Sequence, residues 1–393
     1  MYKSRYGKNS GKRLKVAAVS ADFVWKESVR QTMSPISVVI LVFSILGAVD
    51  FIIGNKIGIG KEFERAFSLF CPMALSMLGM IVVAPAIGVW LTPVFEGFYG
   101  LFGIDPSIIP ASLFANDMGG MTLSKIVCKS ENIGNFNAFV TSSMMGCVLS
   151  FTVPFALGVV KREQHSDFFF GTLAGIVTVP IGCLFAGIFC DIAFTELLLT
   201  LLPLIILSAI IAAALILVPR ATVGCFRVFG ILMRVLAIFG LVASIFTFLT
   251  KIEISEHFDS FENAAKICAN ACVTLSGALP LMSLATRLLN KPLTKLGSRI
   301  GMNGTSTLAF LGTLVSNAPT FGVMEKMDRR GVVLNSAFAV SASFVFGSHL
   351  AFTMVFDESF VLPMAVGKIT AGIFAVLLAH FIFKGKQKKH TRD

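Results

Sequence analysis

The chain has 393 residues, of which 55% are hydrophobic and only 14% charged, with a formal net charge of +11 at pH 7. A soluble chain carries roughly 25% charged residues to clothe its surface, so this composition, with a mean hydropathy of +0.83, excludes an ordinary soluble domain and points to an integral membrane protein. Nucleic acid is not implied, because the basic excess gathers in the two tails and a few loops without aromatic interleaving, as the positive-inside bias and anionic headgroups require.

In chain order, residues 1–35 form a basic tail led by Lys3, Arg5, Lys8, Lys12, Arg13 and Lys15. It is too charged, and too long before the first apolar run, for a cleaved secretory signal; residues 15–30 are compatible with an interfacial helix. Apolar runs follow at 36–53, 66–94, 136–160, 167–190, 194–218, 226–250, 264–290, 331–356 and 360–383. Each has roughly 18 or more residues, the length that ~30 Å of hydrocarbon demands. A second basic tail, 384–393, closes the chain with Lys384, Lys386, Lys388, Lys389 and Arg392.

Two shorter stretches interrupt the pattern. Ile108 to Lys125 (IIPASLFANDMGGMTLSK) and Ala309 to Lys326 (AFLGTLVSNAPTFGVMEK) are broken by Gly and Pro and lie 201 residues apart, so that Asn116 falls on Asn317. The same offset aligns Leu113, Lys125, Gly146, Leu149, Phe151 and Thr152 with Leu314, Lys326, Gly347, Leu350, Phe352 and Thr353. Irregular backbone is tolerated at membrane depth only where protein or a cavity satisfies it, and paired broken segments in two halves point to the binding site of a secondary transporter. The predicted architecture is therefore an all-α polytopic membrane protein of about 9–11 transmembrane helices in two structural repeats. The first repeat covers 36–190 and the second 226–383, with a connecting span in 191–225.

Re-entrant broken segments give nine crossings and an inverted second repeat; fully crossing segments give eleven and a parallel one. Lys161, Arg162, Arg220, Arg227, Arg287, Lys291, Lys295 and Arg299 are expected on the cytoplasmic side in both, with Asp191, Glu196, Glu253, Glu256, Asp259 and Glu262 opposite. Inverted repeats entered from opposite faces are preferred, because they bring both broken segments to the midplane.

The candidate chemistry is that of binding. An intramembrane carboxylate costs about 2.5–3.5 kcal/mol at a helix centre, so Asp117 should face a cavity or a cation. Gly119 and Gly120 supply the chain break beside it, and Asn116 precedes it. Asn317 repeats the logic without charge before Pro319, its amide able to donate to or accept from a hydroxyl. His349, Ser142 and Ser343 offer further polar groups inside spans. Lys368 lies too deep to snorkel easily and is a candidate for coupling or ion pairing, as is Asp50 near a span end. Each has a plainer reading as a helix cap, a packed hydrogen-bonding side chain or an interfacial charge. The eight cysteines include no CxxC and no nearby His at ligand spacing, so neither metal nor cofactor is expected. HExxH, Walker A and nucleophile-elbow motifs are absent, which argues against an enzyme and for passive or ion-coupled transport.

The strings NDMGG (116–120), LAGIVTVPIGC (173–183), SNAPTFGVMEKMDRRG (316–331), LNSAFAVSASFVFGSHLAF (334–352) and PMAVGK (363–368) resemble the ethanolamine-utilisation permease (EutH) family from about residue 36 to 383. The resemblance implies a multi-pass protein of the bacterial inner membrane that admits ethanolamine, with the lipid bilayer and the protonated amine as its partners. Association with further copies of the chain is compatible with it. Asp117 then suits the ammonium, and Asn317, a serine or His349 the hydroxyl. The chain departs from the family pattern at Asn116, where a cysteine is common, and at Ser348, where an aspartate is common. Another small amine or cation as cargo, or a non-transporting membrane sensor or scaffold, remain the alternatives.

Overall fold

The computed structural model describes residues 34–390, with side chains to Lys384. The basic N-terminal tail with its interfacial segment, and all of the basic C-terminal tail's side chains except that of Lys384, lie outside the described residues. All regular structure among the described residues is helical. In order, the chain forms α1 (Pro35–Ile52), α2 (Gly60–Trp90), α3 (Thr92–Phe102), α4 (Ile108–Leu113), α5 (Gly120–Val127), α6 (Glu131–Val159), α7 (Arg162–Gly187) and α8 (Phe194–Leu217). There follow α9 (Pro219–Thr250), α10 (Phe261–Arg299), α11 (Gly304–Val315), α12 (Asn317–Gly322), α13 (Arg329–Ala342), α14 (Ser348–Phe356) and α15 (Glu358–Lys384).

Eight of these, α1, α2, α6 to α10 and α15, are long and apolar enough to cross a membrane. The run 331–356 does not form the single span expected. It divides into α13 and α14 around Ser343–Gly347, where Phe344 takes a φ of +63°. That value is strained for a bulky residue and persists only where the surroundings enforce it. Here the amides of Phe344 and Phe346 donate to the carbonyls of Thr313 (3.2 Å) and Leu314 (2.9 Å), so the end of α11 and the unwound strand of chain satisfy one another.

Charge does not organise the interior; close packing does. Helices α7, α13 and α15 pack against one another, and a Cβ at Gly182 would overlap the Gly367 carbonyl of α15. Small residues at such contacts let backbones approach where lipid offers no hydrophobic drive for association. By contrast α8 and α9 leave Leu199, Ile206, Ile210, Val228, Val235 and Val242 exposed on the outer surface. Rows of exposed branched residues on otherwise apolar helices form the lipid-facing side of a multi-pass membrane protein.

Each broken stretch is a hairpin that returns to its starting point, and in each a single carboxylate ties the two ends. Asp105 accepts from the amides of Ser107 (2.9 Å), Lys129 (2.8 Å) and Ser130 (2.9 Å), closing α4–α5. Asp328 accepts from the Asn303 amide (2.9 Å), the Ser306 hydroxyl (2.6 Å) and the Gly331 amide (3.0 Å), closing α11–α12. Helix α6 starts beside the first closure, where Asn132 donates to the Asp191 carbonyl, and ends beside the second, where Lys161 pairs with Glu325 at 2.7 Å. The two hairpins therefore enter the bundle from opposite ends of α6.

Candidate functional site

The tips of both hairpins reach the wall of one cavity of about 430 Å³. Each tip is an interruption dictated locally. In the first, Phe114 and Ala115 are extended, Asn116–Met118 make one tight turn, and Gly119 takes a φ of +90° that an L side chain resists. A Cβ at Gly120 would overlap the Phe114 carbonyl, so both glycines serve the fold of the tip. In the second, Ser316 is extended and caps α12 by accepting the Ala318 amide.

Asp117 is the one carboxylate among the described residues lining the cavity, and it is only 5% exposed. Its amide donates to Asn116 Oδ1 at 2.9 Å, and the Ser348 hydroxyl faces its carboxylate. His349 also lines the cavity, with Nε2 3.9 Å from Asp117 Oδ1, beyond direct hydrogen-bond length. The other ring nitrogen, Nδ1, lies 3.0 Å from Nζ of Lys368, which also donates to the Ser143 carbonyl. An ammonium has donors only, so Nδ1 is the acceptor and the ring proton sits on Nε2, toward Asp117. Phe344, its ring tilted 40° to that of His349 at 5.2 Å between centroids, and Phe151, 5.5 Å from Phe344, make the adjoining wall apolar. In such surroundings a charge–charge interaction at Asp117 is screened far less than in water.

The structure thus gathers Asp117, His349 and Lys368 into one chain of contacts. Lys368 does not touch Asp117, as direct pairing would require; the imidazole stands between them. The other candidates are arranged differently. Asn116 and Asn317 are buried at the hairpin tips and do not line the cavity, where Ser316, Ala318 and Pro319 do. Asn317 Nδ2 donates to Thr152 Oγ1 at 2.9 Å. Ser142 bonds back to the Ala138 carbonyl of its own helix, and Ser343 is buried beside the Cys147 thiol.

Asp50 stands apart from the site. Its carboxylate accepts the amides of Ile57 (2.7 Å), Ile59 (2.8 Å) and Gly60 (2.8 Å), which shapes the turn between α1 and α2, and it makes no ion pair among the described residues. Cys147 and Ser316 line the cavity without a signal in the sequence, and Ser348, the departure from the family pattern, lines it too. Ser348 immediately precedes His349 and places a hydroxyl beside Asp117.

Residues 34–382 match the family described as "Ethanolamine utilisation protein, EutH". The chain is 36% identical over 350 residues to the "Probable ethanolamine permease EutH" of Listeria monocytogenes serotype 1/2a, covering 89% of this chain and 94% of that protein. It is 31% identical over 392 residues to the protein of the same name in Escherichia coli K12, covering 90% and 96%. "Uncharacterized protein YxeR" of Bacillus subtilis 168 is 32% identical over 354 residues, covering 90% and 96%. No solved structure matches the chain. With the family's pattern running through every membrane-spanning helix and through both hairpins that build the cavity, the chain belongs to the EutH family of ethanolamine-utilisation proteins.

Proposed function

We propose that the protein carries ethanolamine, as its ammonium ion, across the bacterial cytoplasmic membrane by alternating access, with Asp117 as the group that takes the charge. The observation that carries this reading is a buried carboxylate facing a cavity at the tip of a hairpin, with no lysine or arginine in ion-pair contact among the described residues and the neutral His349 ring at 3.9 Å. A charge-assisted bond from a small ammonium would satisfy it. The Ser348, Ser316 and His349 side chains on the same wall offer partners for the hydroxyl at the other end of the molecule. Probable ethanolamine permeases among the relatives support the same cargo.

The cavity opens at the end of the bundle that carries Arg65, and there Arg287 donates to the carbonyls of Ile57 and Gly58. Lys291, Lys295 and Arg299 continue that basic end. By the positive-inside rule it is cytoplasmic, and the conformation is open to the inside. Counting the α13–α14 pair as one traverse gives nine crossings in two inverted halves, with the N-terminus outside and the C-terminus inside. Lys368 supplies a built-in cation near Asp117, the position at which another transporter would hold a coupling ion, and a proton exchanged through Lys368 and His349 is the coupling this arrangement favours.

Uptake of labelled ethanolamine into proteoliposomes, with unlabelled choline and other small amines as competitors, tests the reading. Saturable uptake blocked best by ethanolamine is expected. Binding without flux would make the protein a membrane sensor, and preference for another amine would change the cargo.

A further inference from the structure

Asn116 and Asn317 are 201 residues apart, and so are Thr152 and Thr353. The second asparagine bonds the first threonine: Asn317 Nδ2 donates to Thr152 Oγ1 at 2.9 Å, fastening the tip of the α11–α12 hairpin to α6 of the opposite half. The complementary pair is not made. Asn116 Nδ2 and Thr353 Oγ1 are both fully enclosed, and neither has a partner among the described residues, although the turn Asn116–Met118 packs directly against α14, which carries Thr353. A threonine in a helix ordinarily returns its hydroxyl to a carbonyl of the preceding turn, as Thr313 does to Ala309; Thr353 does not. A buried donor and a buried acceptor left unpaired on two elements that pack together carry a desolvation cost that forming a bond between them would remove.

The correspondence extends to packing. A Cβ at Gly146 would overlap the Phe114 carbonyl, and a Cβ at Gly347 would overlap the Val315 carbonyl; both glycines and both carbonyls are again 201 residues apart. Each hairpin thus docks its bend through the same contact, the first against α6 and the second against the α13–α14 break. What differs between the halves is the bond to the other half, made in one and open in the other.

We propose that Thr152 and Thr353 are equivalent positioning residues for transport, engaged in alternation by the hairpin of the opposite half. Asn317–Thr152 is made in the conformation described here, and Asn116–Thr353 is made in the one that closes this cavity and opens its counterpart at the other end. The proposal rests on the alternating-access reading above. Each state then holds one bond and forgoes the other, which keeps the two close in free energy, as a carrier that must visit both requires.

The test follows the cavity mouth in the full-length protein without substrate. Ala318 lines the cavity and is exposed, so the rate at which a polar maleimide labels Ala318→Cys, quantified on that peptide, reports how open the mouth is. Thr152→Val, which removes the bond now made, is expected to slow labelling several-fold. Thr152→Ser, which keeps a hydroxyl, should label at the parent rate, and adding Thr353→Val to Thr152→Val should return the rate toward the parent. Thr353→Val alone breaks no bond present here, so it should fold, label at least as fast as the parent and turn over more slowly. An unchanged rate in Thr152→Val, no recovery in the double variant, or slower labelling in Thr353→Val overturns the proposal. Because labelling is read without substrate, these shifts in a protein that moves no ethanolamine would reject the cargo and leave the paired latches standing.

Discussion

Lys368 Nζ lies 3.0 Å from His349 Nδ1, inside the protein, on a helix 19 residues further along the chain. The contact fixes the imidazole so that its other nitrogen looks across 3.9 Å to Asp117. One buried carboxylate therefore faces a resident cation on one side and the cavity on the other. An incoming ammonium would compete with the resident charge for the field of the same group.

Removing that charge should tighten the grip on the cargo and hinder its release. For Lys368→Gln we expect ethanolamine to bind roughly tenfold more tightly, about 1.4 kcal/mol, with slower turnover, because the repulsion between two cations near one carboxylate is gone. Calorimetric binding and single-turnover efflux separate the two effects. Weaker binding by this variant would show that Lys368 holds the site together and does not oppose the substrate.

His349→Gln preserves an acceptor for Lys368 but cannot carry a proton between the two charged groups. Equilibrium exchange of labelled for unlabelled ethanolamine should persist, while accumulation driven by a pH gradient disappears. Flux with and without an imposed gradient checks this, and accumulation equal to wild type would remove the histidine from coupling.

The hairpin closures predict stability effects far from the cavity. Burial alone would raise the Asp328 carboxyl, but the Ser306 hydroxyl and the amides of Asn303 and Gly331 outweigh it and hold the group below its ordinary value. A carboxylate depressed in the folded state contributes its stability in full above the unfolded value, near 3.9, and loses it as pH falls through the folded value. Asp328→Asn should lower the melting temperature in detergent at pH 7, by an amount corresponding to about 1–2 kcal/mol. That difference should shrink as the pH is taken below about 4.

Gly347→Ala should damage the cavity without touching its polar groups. The added Cβ meets the Val315 carbonyl, and relief requires the second hairpin to withdraw from the α13–α14 break. Overpacking of this kind costs about 1–3 kcal/mol, and transport should fall to a small fraction of wild type while folded protein is still recovered. Full activity would show that the hairpin need not seat against this glycine.

How much of this was legible in the sequence depended on the kind of signal. Long apolar runs located the eight crossing helices, because hydropathy over 18 or more residues reflects a requirement of the bilayer itself. Gly119, Gly120 and Pro319 marked the two hairpin tips, because chain breakers have local causes. The break within 331–356 escaped notice: Ser343–Gly347 is apolar in composition, and it is held open by the end of α11, a partner remote in sequence. Asp117 and His349 were recognisable singly as charged or titratable groups inside apolar sequence. That an imidazole joins Asp117 to Lys368, and that Asp50 is occupied by three backbone amides, are facts of tertiary placement that spacing along the chain does not encode.

The central claim is that Asp117 receives the ammonium of the cargo, and the most direct measurement is ethanolamine binding and flux by Asp117→Asn in proteoliposomes beside wild type. The amide is nearly isosteric and keeps the Ser348 contact within reach, so the variant should be recovered folded, with a gel-filtration profile like that of wild type. We expect ethanolamine affinity to fall at least 100-fold, about 2.7 kcal/mol, and uptake to drop to background. Wild-type affinity and uptake by the folded variant would contradict the account.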